Sequence, residues 1–218
     1  MQRYAAILLI IGAIIFAAAV VSPPIYNVFS VSDPAQQLTV VQDNLTGWRI
    51  ANAFMAVGAS SVVVGIVVLA RYMISLNDRR LAKWAIYAGA ALMVLGGVLW
   101  LVGQFDNMTE SPENIVNGQP LLGEWVFITY TLSTLIGLLF VGLALYAARY
   151  PRWLGWGCMG ISGFILIRTV LYQDPVPLEW YIVAFILGLI LLFVKPSPKG
   201  VTEVSASGEM STTTNVNP

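Results

Sequence analysis

The chain has 218 residues, of which 58% are apolar and only 10% charged, and its eleven Lys/Arg balance eleven Asp/Glu. A soluble domain carries about 25% charged residues, so this composition predicts lipid-facing or bundle-buried helices, and with no basic patch larger than a short loop it argues against nucleic-acid binding. Histidine is absent and Cys158 is the single cysteine, which excludes an intrachain disulfide, a Cys/His zinc site, His-ligated haem, a two-histidine iron triad and a Ser–His dyad.

Six apolar segments reach or approach the ~20 residues that a helix needs to cross a ~30 Å hydrocarbon core. They run over 4–22, 49–70, 83–103, 125–147, 153–172 and 178–194. The expected fold is therefore all-α, a six-transmembrane-helix bundle over residues 1–195. The charges give it an orientation. Arg71, Arg79, Arg80 and Lys83 share one loop, Arg149 and Arg152 another, and Lys195 and Lys199 follow the last segment. The intervening stretches 23–47, 104–124 and 172–179 hold no Lys or Arg and carry Asp33, Asp43, Asp106, Glu110, Glu113, Glu124, Asp174 and Glu179. The positive-inside rule then places the N and C termini in the cytoplasm of a cell-membrane protein.

In chain order, the first segment has a rival reading as a cleaved leader, because Ala17-Ala18-Ala19 resembles a signal-peptidase site. Ser32-Asp33-Pro34 with Gln36 supplies an N-cap, a first-turn proline and a capping-box partner. Leu38, Val41 and Leu45 follow at helical spacing, which predicts an amphipathic helix over 34–45 on the outer membrane surface. The second span opens near Trp48 and carries Arg49, Asn52 and Ser60. Gly89, Gly96 and Gly103 form a seven-spaced small-residue face on the third. Ser111-Pro112-Glu113 predicts a helical turn that ends near Asn117-Gly118. The fourth span carries Thr129, Tyr130, Thr131, Ser133 and Thr134, which more often bond across helices or to their own backbone than line a path. Asn44-Leu45-Thr46 and Asn107-Met108-Thr109 are glycosylation sequons of meaning only in a eukaryote. Beyond Lys195 a Pro-Ser-Pro step leads into a Ser/Thr/Val/Asn-rich stretch, 196–218, expected to be a disordered cytoplasmic tail.

The spans read as three hairpins in series. Outgoing helices begin with a cation and an aromatic (Arg3-Tyr4, Lys83-Trp84, Arg152-Trp153), and returning ones begin near Trp48, Trp125 and Trp180. Gly65 and Gly142 each lie seventeen residues after their tryptophan. Either a tandem repeat or the aromatic belt and basic anchors common to spanning helices accounts for this.

Gly160-Ile161-Ser162-Gly163 resembles the Gly-x-Ser-Gly nucleophile motif of rhomboid intramembrane proteases, which are also six-helix proteins. Such a serine needs a histidine to activate it, and the chain has none. Gly160, Ser162 and Gly163 are therefore read with Gly89, Gly96 and Gly103 as positions of close helix packing. Arg168 is the most costly residue within a span, about 6 Å below its outer end at 1.5 Å per residue. Glu124 and Glu179 lie at its level, and only a short loop separates Glu179. Arg49, Gln104, Glu124, Arg168 and Glu179 thus form the candidate outward-facing polar pocket, against the simpler reading of a structural ion pair.

No span carries a charge near its centre, as proton-coupled pumps, intramembrane aspartyl proteases and voltage sensors do. Three functional expectations follow, in order. The first is a non-catalytic subunit or scaffold bound to the bilayer and to a membrane-protein partner or a second copy. The second is a small-molecule binding or transport protein; the substrate-binding components of energy-coupling-factor transporters are similar in size and topology only. The third is an interfacial lipid-modifying enzyme. No metal or cofactor is expected.

Overall fold

The computed structural model describes residues 1–76, 79–116, 124–172 and 177–196, with the side chains of 115, 116, 124–126 and 177 left aside. The described residues form helices joined by short connections. They are α1 (Gln2–Val20), α2 (Pro23–Phe29), α3 (Pro34–Asp43), α4 (Leu45–Leu76), α5 (Arg80–Thr109), α6 (Pro112–Val116), α7 (Glu124–Ala147), α8 (Arg152–Tyr172) and α9 (Pro177–Phe193). Five of these, α1, α4, α5, α7 and α8, are long and apolar enough to cross a membrane, and α9 is a shorter apolar helix. The stretch beyond Pro196, the turn end at Asn117-Gly118 and the Glu124 side chain lie outside the described residues.

Two helices overrun their expected bounds. The 32 residues of α4 and 30 of α5 extend about 48 and 45 Å at 1.5 Å per residue, more than a ~30 Å core requires. Their polar ends therefore stand clear of it, and a sequence window tuned to apolar residues stops short of them. α2 was not expected at all. Pro23-Pro24 breaks α1 but suits a first helical turn, and Ile25 and Val28 are buried on it.

The cap of α3 forms as its sequence implies: the Asp33 carboxylate accepts the Ala35 N–H at 3.2 Å. It is Gln37, rather than Gln36, that reaches back, donating to the Val31 carbonyl at 2.6 Å. Val41 is buried, and α3 packs on α2, α6 and the start of α4. Of the expected apolar stripe, Val41 faces protein, while Leu38 and Leu45 stay half-buried.

The long helices form a ring in the order α9, α1, α4, α5, α7, α8. Glycine sets the closest crossings. A Cβ on Gly12 of α1 would stand 2.7 Å from the Gly58 carbonyl of α4, and one on Gly89 of α5 would stand 2.8 Å from the Gly137 carbonyl of α7. Backbones at this separation gain dispersion contacts that lipid cannot match. The third hairpin departs from expectation. α8 packs on α7 and α9 packs on α1, while α8 and α9 touch lightly. Sequential neighbours usually pair; here closing the ring offers α9 a better surface. The shared glycines also diverge in use, because Gly65 packs back on Ala5 and Leu9 of its own hairpin, whereas Gly142 packs forward on Met159 and Gly155 of α8.

Candidate functional site

Polar groups gather at both ends of the ring. At the basic end the Gln2 amide donates to the carbonyls of Leu191 (2.6 Å) and Val194 (2.5 Å), and accepts from the Tyr150 hydroxyl at 3.1 Å. Arg79 donates to the Ala147 carbonyl at 3.3 Å, a cation at a helix C-terminus where the dipole favours it. These bonds tie α1, α5, α7 and α9 together. At the acidic end Asn107 bridges to Asn52 (3.3 Å) and receives the Trp48 indole on its carbonyl (3.1 Å), which clasps α4 to α5.

Of the five candidate pocket residues, the structure brings two into contact. Arg168 Nη1 lies 2.8 Å from Glu179 Oε1, with the two side chains 29% and 27% exposed. Gln104 is buried on α5, where its Oε1 has no hydrogen-bond partner among the described residues. Arg49 is exposed on α4, which packs between α1 and α5, across the ring from the α8–α9 pair. Among the described side chains the contact shown is this one ion pair, which pins α8 to α9; Arg49 lies across the ring from it, because residues at one depth need not be neighbours around a ring.

What fills the ring toward its acidic end is aromatic. Phe16 and Tyr181 stack with centroids 3.6 Å apart, and Trp100 and Tyr130 stack at 4.5 Å. Trp180 packs edge-on to Tyr130 at 5.6 Å, and the Tyr130 and Tyr181 hydroxyls lie 3.0 Å apart. α1, α5, α7 and α9 each contribute to this cluster, which the sequence reading missed. Its signal was an aromatic pair at the start of α9, Trp180-Tyr181, that the belt rule assigned to the interface. Trp100 Nε1, four residues before Gln104 on α5, is also buried without a partner among the described residues.

Some hydroxyls of the spans are spent on backbone, while those of Thr131, Ser162 and Thr169 are buried without a hydrogen-bond partner among the described residues. Ser133 donates to the Tyr130 carbonyl at 3.0 Å, Ser60 to Ala56 at 2.8 Å, and Ser61 crosses from α4 to the Leu8 carbonyl of α1 at 3.0 Å. Ser162 is fully buried, and Gly163 has ordinary contact with Leu139. The six predicted packing positions divide. Gly89 and Gly96 are tightly apposed to α7, but a Cβ at Gly103 or Gly160 would meet nothing within 4 Å. A glycine pattern marks a face without saying whether a neighbour covers it, and these two faces are bare.

Two apolar recesses indent the described bundle. One, about 200 Å³, lies between α8 and α9 and is lined by Trp153, Gly157, Cys158 and Ile161 with Val183 and Ile186 among others. The other, about 490 Å³, lies between α1 and α4 beside Pro24 and Phe54. Arg49, Gln104, Arg168 and Glu179 line neither. Among the described residues no three His, Cys, Asp or Glu side chains converge in a metal-binding arrangement.

No protein-family model matches the chain, and neither a curated protein nor a solved structure shows significant similarity to it.

Proposed function

We propose that this is a six-span protein of the cell membrane with both termini in the cytoplasm, and that it serves as a non-catalytic subunit or scaffold whose α8 receives a transmembrane helix of a partner. The observation that carries this reading is the bareness of α8. Only 33% of its apolar window is buried within the bundle, against 61% for α7. Trp156, Gly160, Phe164 and Ile167 recur at helical spacing on its outward side, and Gly160 meets no neighbour. Glycine in a helix interior costs about 0.8–1.0 kcal/mol against alanine, and nothing in the single chain offsets that at Gly160. An approaching backbone would, as small-residue faces do in membranes.

The sixth span is α9, whose 17 residues rise about 25 Å; a shortfall of this size is absorbed by local thinning or flanking side chains. Retention of α1 rather than its cleavage is supported by its burial: Ala5, Ala6, Leu9 and Phe16 all face the core. Purification in a gentle detergent followed by native mass spectrometry tests the scaffold reading. A partner or second copy should be retained, and Gly160→Leu should release it. A clean monomer from native membranes counts against the proposal. Orientation is read separately by impermeant maleimide labelling of single cysteines in a Cys158→Ser background: position 36 should label from outside and position 3 should not.

A second reading, an outward-facing binding or transport protein, draws support from Trp100 Nε1 and Gln104 Oε1 on one face of α5, both buried and without a hydrogen-bond partner among the described residues. A donor and an acceptor so placed suit a small polar ligand. Loss of uptake or binding in Gln104→Leu with folding intact would favour it over the scaffold.

A further inference from the structure

The recess between α8 and α9 follows from how its two walls are held. α9 is drawn to α1, where a Cβ on Gly188 would stand 2.9 Å from the Ala6 carbonyl, and is tied there again by the two Gln2 bonds. α8 is drawn the opposite way, to α7, where a Cβ on Gly155 would stand 2.5 Å from the Tyr146 backbone nitrogen. The Arg168–Glu179 pair closes the outer end. Between these attachments α8 and α9 touch lightly, and the walls are Leu154, Gly157 and Ile161 on one side and Val183, Ile186 and Ile190 on the other. The lining includes no charged side chain.

We infer that this cleft seats an acyl chain of one anionic phospholipid from the cytoplasmic leaflet, with the head group against the basic rim beside Trp153. The cleft, about 200 Å³ and lined by apolar side chains with the small Gly157 and Cys158 on one wall, suits a flexible chain. Charge selects the head group. Arg152 immediately precedes Trp153, and Lys195 lies five residues beyond Ile190; both are exposed. Arg149 and Arg3 stand at the same end, the latter beside the Gln2 bonds to α9. All the described acids lie at the opposite end. Basic groups flanking an interhelical cleft on the cytoplasmic side attract anionic lipid head groups, and the half-exposed Trp153 indole suits the level at which head group and chain meet. The seat rests on the membrane-spanning orientation proposed above. Maleimide labelling that reversed the termini would move the seat to the other leaflet without altering lipid retention, so the two can fail independently.

The test uses the whole chain in gentle detergent, with phosphatidylglycerol or phosphatidylcholine added at equal mole fraction and read by native mass spectrometry. One phosphatidylglycerol should survive activation per chain, retained several-fold above phosphatidylcholine. Gly157→Phe should remove that adduct, because a Cβ at 157 meets nothing within 4 Å and the ring can enter the cleft without displacing protein. Ile186→Trp blocks the cleft from the other wall and should do the same, with an unchanged thermal melt as the folding control for both. Arg152→Gln with Lys195→Gln should keep a lipid but lose the preference for phosphatidylglycerol. Equal retention of the two lipids by the unaltered protein overturns the inference, as does an adduct that persists in both cleft-filling variants. A dimer that Gly157→Phe abolishes would instead give the cleft to a second copy.

Discussion

Removing the Arg168 charge offers the sharpest discrimination between a structural pair and a functional site. At 2.8 Å and an effective dielectric of about 20, the gross attraction is about 6 kcal/mol. Most of that is offset by taking two ions partly out of water. Exposed pairs net about 0.2–1 kcal/mol, whereas stripping one partner from a fully buried pair costs about 3–5. With side chains 29% and 27% exposed, this pair lies between those limits. Arg168→Leu alone should cost about 2 kcal/mol, chiefly because Glu179 is left without its counter-ion while its buried Oε2 has no hydrogen-bond partner among the described residues. Glu179→Leu should cost a similar amount, and the double replacement should recover most of the loss. The coupling energy from the cycle should then be about 3 kcal/mol, the two single costs less the small cost of the double. Reversible unfolding in mixed micelles, followed by tryptophan fluorescence, supplies the four stabilities. Strictly additive losses would refute the coupling. Unchanged stability in Arg168→Leu together with lost activity in cells would refute the structural assignment and return the residue to a pocket.

Three further outcomes follow from other parts of the fold. Gly89→Ala should destabilise by about 1–3 kcal/mol through overpacking against the Gly137 carbonyl, whereas Gly160→Ala, with open space at its Cβ, should stabilise by up to about 1 kcal/mol; the same melts compare them. Tyr150→Phe should cost about 0.5–1.5 kcal/mol for the lost bond to Gln2. Burial, and then the nearby Tyr72, push the Tyr150 hydroxyl above its ordinary range, so the folded state keeps the proton while the unfolded chain ionises near pH ~10; native stability should fall above that pH, and the phenylalanine variant should lack this part of the slope. The Glu113 carboxyl is held below its usual range by its backbone N–H first, then by the Ser111 hydroxyl and the Gln42 amide. Its contribution is present above the unfolded value of ~4.3 and is lost as pH falls through the lower folded value. Amide exchange in α3 and α6, corrected for intrinsic rates, should therefore rise only in acid, and Glu113→Gln should flatten that rise.

Legibility in the sequence followed the range of the interaction. The α3 cap is spelled by adjacent residues, Asp33-Pro34, and was readable because its partner atom is two residues away. The Arg168–Glu179 contact was readable because a short connection limits how far α9 can start from the end of α8. The ring was not readable. Its closure by α9 against α1 joins residues nearly 190 positions apart, as in the Gln2–Leu191 bond, and pattern alone cannot weigh that surface against α8. The aromatic cluster was hidden by a rule that is usually right. Tryptophans at span ends belong to the interface, yet Trp48 and Trp180 are 5% and 1% exposed, the first bonded to the Asn107 carbonyl and the second packed on Tyr130 and Tyr181. Gly103 and Gly160 are the reverse case: spacing identifies a small-residue stripe, and the tertiary structure puts no described helix within 4 Å of a Cβ at either.

The packing order also explains why one ion pair matters to so large a bundle. The glycine crossings make two tight trios, α9–α1–α4 and α5–α7–α8, each held by backbone approach within 3 Å of where a Cβ would stand. Among the described residues the trios are joined by the α4–α5 interface with its Asn52–Asn107 clasp, by the Tyr150–Gln2 bond at the basic end, by the aromatic cluster, and by the Arg168–Glu179 contact. The first lies on one side of the ring and the last on the other. The cluster spans between them, since Phe16 and Tyr181 come from one trio and Trp100 and Tyr130 from the other. Breaking the ion pair therefore frees the seam at its outer edge while the α4–α5 side stays closed as a hinge. The Tyr130–Tyr181 hydroxyl contact becomes the remaining polar link near that edge. Its loss in Tyr181→Phe should be mild in the native chain and larger in an Arg168→Leu background, a non-additivity measurable in the same unfolding assay. Equal costs in the two backgrounds would mean that the trios are held together elsewhere.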